Sequence, residues 1–112
     1  MDFKQISDKA LAVRAKYNDL NQKNVGHSWS NRELMEGFVG DVGDLMKFVM
    51  AKEGSRHIDD VDEKLKHELA DCLWCILVLS KNYGVDIDTE FMEKMDELDE
   101  RVSAELKAYD QG

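Results

Sequence analysis

A chain of 112 residues has room for one domain around one hydrophobic core and not for two. Its apolar share of 43% is too high for a disordered polymer, and no apolar run approaches the roughly 18 residues needed to cross a bilayer. With 24 acidic against 15 basic side chains the net charge is −9, which opposes binding to DNA, RNA or anionic lipid, whose phosphates call for clustered Lys and Arg.

The start, MDFKQISDKALAVRAKY, carries acids and lysines where a secretory signal would carry an apolar stretch. The expectation is a cytoplasmic protein that does not associate with membranes. The acidity does not oppose a phosphate ligand that arrives with Mg²⁺, since the metal then supplies the positive charge.

Proline is absent and apolar residues recur at intervals of three and four, so the chain reads as helices from end to end. A first helix is expected over about 3–22, with Phe3, Ile6, Ala10, Val13 and Tyr17 on one side. The stretch 22–29, containing Asn24 and Gly26, reads as a loop. Ser30 and Glu33 have the spacing of a capping box and open a second helix that runs to about Lys52 and stops before Gly54. A polar connection with Gly54, Ser55, Asp59 and Asp60 follows. Asp60 and Glu63 offer a cap for a third helix over about 61–82, which Gly84 closes. Asp88 is expected to cap a fourth helix bearing Phe91, Met95, Leu98 and Val102, and 108–112 to fray.

The chain shows no internal repeat, low-complexity tract or linker, so residues 1–112 form a single all-α domain. Four helices with short connections predict a four-helix bundle. The third helix is apolar all round from Cys72 to Leu79, which places it at the centre, covered by the other helices or by a second subunit.

Cys72 and Cys75 form a C-x-x-C inside the run CLWCILVL. That spacing serves a redox pair or half a zinc site. A second cysteine pair is lacking, and His67 alone cannot complete a closed zinc site. The two are read as reduced core cysteines.

Two acidic pairs, Asp41-x-x-Asp44 and Glu68-x-x-Asp71, place their carboxylates on one face of the second and third helices, a turn apart. Chance alone gives roughly five such pairs in so acidic a helical chain, so spacing by itself decides nothing. Context does more. Asp41 and Asp44 are interleaved with Phe38, Val39, Val42, Leu45 and Met46, and Asp71 lies between Leu69-Ala70 and Cys72-Leu73-Trp74. Carboxylates at the edge of a core are costly to ionise unless a cation or strong donors compensate. If the two helices pack antiparallel, four carboxylates converge, and an all-oxygen set of this kind suits Mg²⁺ or Mn²⁺ rather than Zn²⁺. The alternative is a solvated acidic groove. Gly37, Gly40 and Gly43 lie beside this face, and each costs a helix interior about 1 kcal/mol relative to Ala; they suggest close approach of another helix or of a ligand.

The segment GDVGDLMKF followed by HELADCLWCILVLSKNYGVDID resembles the MazG-type nucleotide pyrophosphohydrolases, including their dCTP pyrophosphatase branch. That all-α family carries an acidic E-x-x-E pair, a variable insert and then E-x-x-D. Here 23 residues separate Asp44 from Glu68. The likeness covers about residues 29–101. It implies a Mg²⁺-dependent enzyme that cleaves a nucleoside triphosphate to a monophosphate and pyrophosphate and works as a homodimer or homotetramer. Asp41, Asp44, Glu68 and Asp71 would be the metal ligands and catalytic carboxylates. Lys94 and Arg101 would reach the phosphates or, equally, belong to a solvated helix face. Trp29 would lie near the base or anchor the core beneath the loop. The chain departs from the family in carrying Asp at 41 and 44 where Glu is usual, Gly40 where many members have a further Glu, Leu98 where Asn is common and Val102 where Tyr is common. The rival expectation is a nucleotide- or metal-binding helical module that does not hydrolyse.

Overall fold

Each helix begins and ends for a local reason. Asp2 opens the first: its carboxylate accepts the Gln5 N–H at 2.9 Å, and the Gln5 side chain returns to the Asp2 N–H at 2.9 Å. The helix, α1 (Phe3–Val25), runs three residues beyond the expected end. Asn24 does not break it. The stop is Gly26, which turns left-handed (φ 81°) and gives its N–H to the Gln22 carbonyl at 3.1 Å. The Ser30 capping box forms as expected, with Ser30 Oγ accepting the Glu33 N–H and Glu33 accepting the Ser30 N–H, both at 3.1 Å. It starts α2 (Asn31–Lys52).

The computed structural model describes residues 1–111, and its two remaining helices are α3 (Val61–Asn82) and α4 (Ile87–Gln111). No strand occurs among the described residues. Asp60 does precede α3, but it does not cap with its side chain. Its backbone is left-handed (φ 56°) and only its carbonyl serves, accepting the Lys64 N–H at 3.1 Å. Gly84 closes α3 as expected, with φ 68°. Asp88 lies inside α4 rather than before it. Asp86 stands outside instead, taking the Glu90 N–H on its carbonyl at 3.0 Å and the Thr89 hydroxyl on its carboxylate at 3.1 Å. The expected fraying of 108–112 does not appear through Gln111, which is helical; Gly112 lies outside the described residues.

α2 and α3 pack as an antiparallel hairpin. Asn82 Nδ2 donates to Asn31 Oδ1 at 2.8 Å at one end, Lys52 meets Asp62 at 2.6 Å at the other, and Cys75 approaches Asp41 between them. The covered positions on α2 (Leu34, Phe38, Asp41, Leu45 and Phe48) and on α3 (Leu65, Glu68, Cys72, Cys75 and Leu79) advance by alternating steps of three and four, so each set is one seam. α1 packs across another side of α3, where the Trp74 indole N–H donates to the Ala10 carbonyl at 3.1 Å and Val78 is fully buried. α3 is therefore the central helix, as its composition predicts, although Leu73 and Ile76 on its third side stay exposed.

α4 departs from the expected bundle. None of its residues is buried, and at its start Ile87 and Asp88 line a groove together with Phe3 and Leu11 of α1. The chain measures 64 × 40 × 29 Å with a radius of gyration of 18.4 Å, where a compact chain of this length has roughly 13 Å. Within one chain the four helices do not close on one another. Among the described residues no helix is long and apolar enough to cross a membrane.

Candidate metal centre and its cleft

The hairpin seam places Asp41 of α2 opposite Glu68 of α3, and Asp44 follows one turn along α2. One carboxylate oxygen from each of the three lies within 4.8 Å of the others. Glu68 is only 9% exposed, and its Oε1 is buried without a hydrogen-bond partner. Its carboxyl is pushed up from the ordinary 4.5 to about 7. Burial is the largest cause, followed by the hydrogen bond with Asp41 and the charges of Asp41, Asp71 and Asp44. Lys47 reaches Asp44 at 3.8 Å, from the solvent side. No ion pair reaches Asp41 or Glu68 among the described residues.

Three acids, one of them with an unpartnered carboxylate oxygen, make a donor set that fits a hard divalent cation. The oxygens are close enough to share one ion, a +2 charge relieves the repulsion that raises Glu68, and the orphaned Oε1 gains a partner. Asp71 stands outside this group. It is exposed, and it turns into the adjoining cleft while its charge still acts on Glu68.

The cysteines border the cluster. The Cys75 thiol donates to Asp41 Oδ2 at 3.8 Å. Burial and then the Asp41 charge push the Cys75 thiol up to about 11, and the same two causes raise Cys72. Both are free and buried. Neutral thiols beside carboxylates make poor nucleophiles and poor zinc ligands, so the structure keeps them as core residues.

Beside the acids opens a cleft of about 550 Å³ between α1 and the hairpin, with Asp41 and Asp71 in its wall. Its aromatic wall comes from three distant parts of the chain. Tyr17 stacks on Trp29 with centroids 5.4 Å apart and planes at 28°, and meets Trp74 edge-on at 5.8 Å. Arg14 ties the loop down: it is 9% exposed and donates Nη2 to the Trp29 carbonyl at 2.7 Å. Trp29 thus lines the cleft and anchors its loop at once. Gly37 also lines the cleft, and a Cβ there, or at Gly40 or Gly43, would meet nothing within 4 Å. No helix of the same chain presses on these glycines, and over Gly37 the space is open to the cleft.

Lys94 and Arg101 are not brought to this site within the chain. Both lie on the exposed length of α4, where Lys94 pairs with Glu97 at 3.4 Å. The projection of α4 away from the hairpin is the cause. Conversely, Arg14, Tyr17 and Trp74 were not singled out as site residues from the sequence. Tyr17 and Trp74 sit on apolar helix faces with the spacing of core residues, and nothing in that spacing distinguishes a cleft wall from a core. Arg14 carried one weak signal, a lone cation interrupting the apolar side of α1 one position after Val13.

Comparison of the chain with protein-family models, curated proteins and solved structures gives no match.

Proposed function

We propose that the chain is a cytoplasmic, homo-oligomeric, Mg²⁺-dependent nucleoside-triphosphate pyrophosphohydrolase, converting a (d)NTP and water to a (d)NMP and pyrophosphate. The observation that carries the reading is the junction of two unlike surfaces. A three-carboxylate cluster with an unpartnered Glu68 oxygen adjoins a cleft walled by Tyr17, Trp29 and Trp74. A nucleotide has the same two halves, a polyphosphate that needs a cation and a flat base that needs an aromatic wall. The likeness of GDVGDLMKF and HELADCLWC to the MazG-type enzymes supports the same assignment, and two free thiols suit a reducing compartment.

In this reading Asp41, Asp44 and Glu68 hold the cation, for which Mn²⁺ can substitute. When bound, it would neutralise phosphate charge and make water a better nucleophile. Asp71, in the cleft wall and outside the cluster of three, orients the attacking water. The aromatic residues hold the base, and the space left by Gly37 admits the substrate beside α2. Two observations favour a second reading, a nucleotide- or metal-binding module that does not hydrolyse: Asp stands at both 41 and 44, and the cations of α4 lie away from the cleft of their own chain.

The test is release of pyrophosphate across a panel of nucleotides, with and without Mg²⁺. Monophosphate and intact pyrophosphate are expected, not diphosphate and orthophosphate. Glu68→Gln should lower the rate by about two orders of magnitude, the scale of losing one electrostatic contact in the transition state. Asp41→Glu combined with Asp44→Glu should preserve or raise it. Absence of pyrophosphate from both the parent and the double Glu variant leaves the binding module.

A further inference from the structure

The cleft is one-sided in charge. Glu33, Asp41 and Asp71 line it, and no Lys, Arg or His does. Asp41 and Asp71 have no ion pair among the described residues, and Glu33 meets only His27, at 3.6 Å with both side chains exposed. Glu33 is held ionised, because the Ser30 N–H that it accepts lowers its carboxyl below the ordinary 4.5. A divalent ion at Asp41, Asp44 and Glu68 would offset Asp41. Glu33 and Asp71 stand outside that cluster and would keep their charge. Arg14 does not offset them from within the cleft; it is buried and gives its Nη2 to the Trp29 carbonyl.

The same cleft is lined by Tyr17, Trp29 and Trp74. The Trp74 N–H is already engaged by the Ala10 carbonyl at 3.1 Å, so this residue offers the cleft its ring and no donor. An aromatic face is the negative part of the ring's quadrupole and attracts a cation, Trp most strongly of all. Tyr17 and Trp29 lie within 28° of parallel, and Trp74 stands at 61° to Tyr17. A flat ring can extend the near-parallel stack, whereas a compact ammonium group cannot. The volume of about 550 Å³ lies in the range that holds a ligand of nucleoside size.

We propose that the aromatic end of the cleft selects a planar heteroaromatic cation, the chemical class of a ring-N-alkylated nucleobase, over the neutral bases. Selection comes from desolvation. A neutral base that covers Glu33 and Asp71 removes their water and returns no charge, which is costly, while a cationic ring supplies the missing charge. Stacking is gained in either case, but only the cation adds attraction to the ring faces and to the carboxylates together. For turnover, this preference rests on the pyrophosphohydrolase reading and picks out an N-alkylated nucleoside triphosphate within its substrate class. The binding preference itself needs neither phosphates nor hydrolysis.

Two isomeric nucleosides provide the test. 1-Methyladenosine carries a positive charge in its ring at pH 7, and N⁶-methyladenosine is its neutral isomer. Each is titrated into the metal-free protein and followed by the fluorescence of Trp29 and Trp74, the two tryptophans of the chain. The cation is expected to bind about tenfold more tightly, the scale of a partly desolvated cation–π contact. Glu33→Gln combined with Asp71→Asn removes both charges while Gln retains the capping box. That variant should lose most of the preference by weakening the cation and not the neutral isomer. Should it lose helix, Asp71→Asn alone, at an exposed position, replaces it and should reduce the preference. Trp29→Leu should weaken both isomers. Equal binding of the two isomers, no binding of either, or a preference that survives loss of both carboxylates would each overturn the proposal. Pyrophosphate release from ordinary nucleotides is read separately, with Mg²⁺. Hydrolysis without the preference therefore strikes this proposal alone, and the preference without hydrolysis strikes only the enzyme reading.

Discussion

Glu68 shows what one residue can reveal at the centre of the site. Its carboxyl titrates near 7 when folded, against an ordinary 4.5, because it is buried among acids. Below about 4.5 it is protonated in both folded and unfolded chains and has no effect on their balance. Between 4.5 and 7 the unfolded chain releases the proton and the folded chain retains it, so folding stability falls as pH rises through this window and stays low above it. In the metal-free protein the melting temperature should therefore drop from pH 5 to pH 8 by more in the parent than in Glu68→Gln, which has no proton to lose. Parallel curves for the two proteins would show that Glu68 is not held among uncompensated charges. At this scale the acids were legible in the sequence as two pairs on helix faces. The separation of Asp71 from the other three was not, since spacing fixes the face a side chain leaves from and not the direction its carboxylate finally takes.

The elements were legible to the extent that local chemistry decides them. Ser30 and Glu33 cap reciprocally because both partners lie within one turn. The Asp60 assignment fails for a reason of backbone geometry. A residue at φ 56° does not aim its carboxylate at the N–H groups ahead of it, so an acid before a helix is not always a cap. The two positions should therefore respond oppositely to substitution. Ser30→Ala removes an acceptor from the first turn of α2 and should cost about 1 kcal/mol. Asp60→Gly removes no cap hydrogen bond and relieves a left-handed conformation that L-residues adopt at a cost, so it should stabilise by about 0.5–1 kcal/mol. Urea unfolding of both variants at fixed protein concentration separates the cases, and a loss of stability in Asp60→Gly would restore its side chain as the cap.

For the molecule as a whole, helical periodicity disclosed four helices and a central third one, but it could not disclose that α4 leaves its own chain's core uncovered or that Tyr17, Trp29 and Trp74 meet in one wall. Those depend on packing between segments far apart in sequence, and an apolar face looks the same whether it meets a core, a ligand or a second copy. The net charge of −9 raises a related ambiguity, because any salt stabilises so acidic a chain by screening. A specific cation site differs from screening in a measurable way. A ligand that binds only the folded state adds about 2.7 kcal/mol at a hundred times its dissociation constant, and for a domain of this size each kcal/mol moves the melting temperature by about 4 °C or more. Millimolar Mn²⁺ or Mg²⁺ should thus raise the melting temperature by several degrees beyond NaCl of the same ionic strength, at fixed protein concentration so that assembly does not contribute. The excess should be smaller at pH 5, where Glu68 keeps its proton and competes with the cation, than at pH 8. Glu68→Gln should lose most of it. Lys94→Gln, on the distant face of α4, should keep it. If the divalent ions do no more than matched NaCl, the carboxylates of the hairpin seam form a screened acidic groove and not a metal centre.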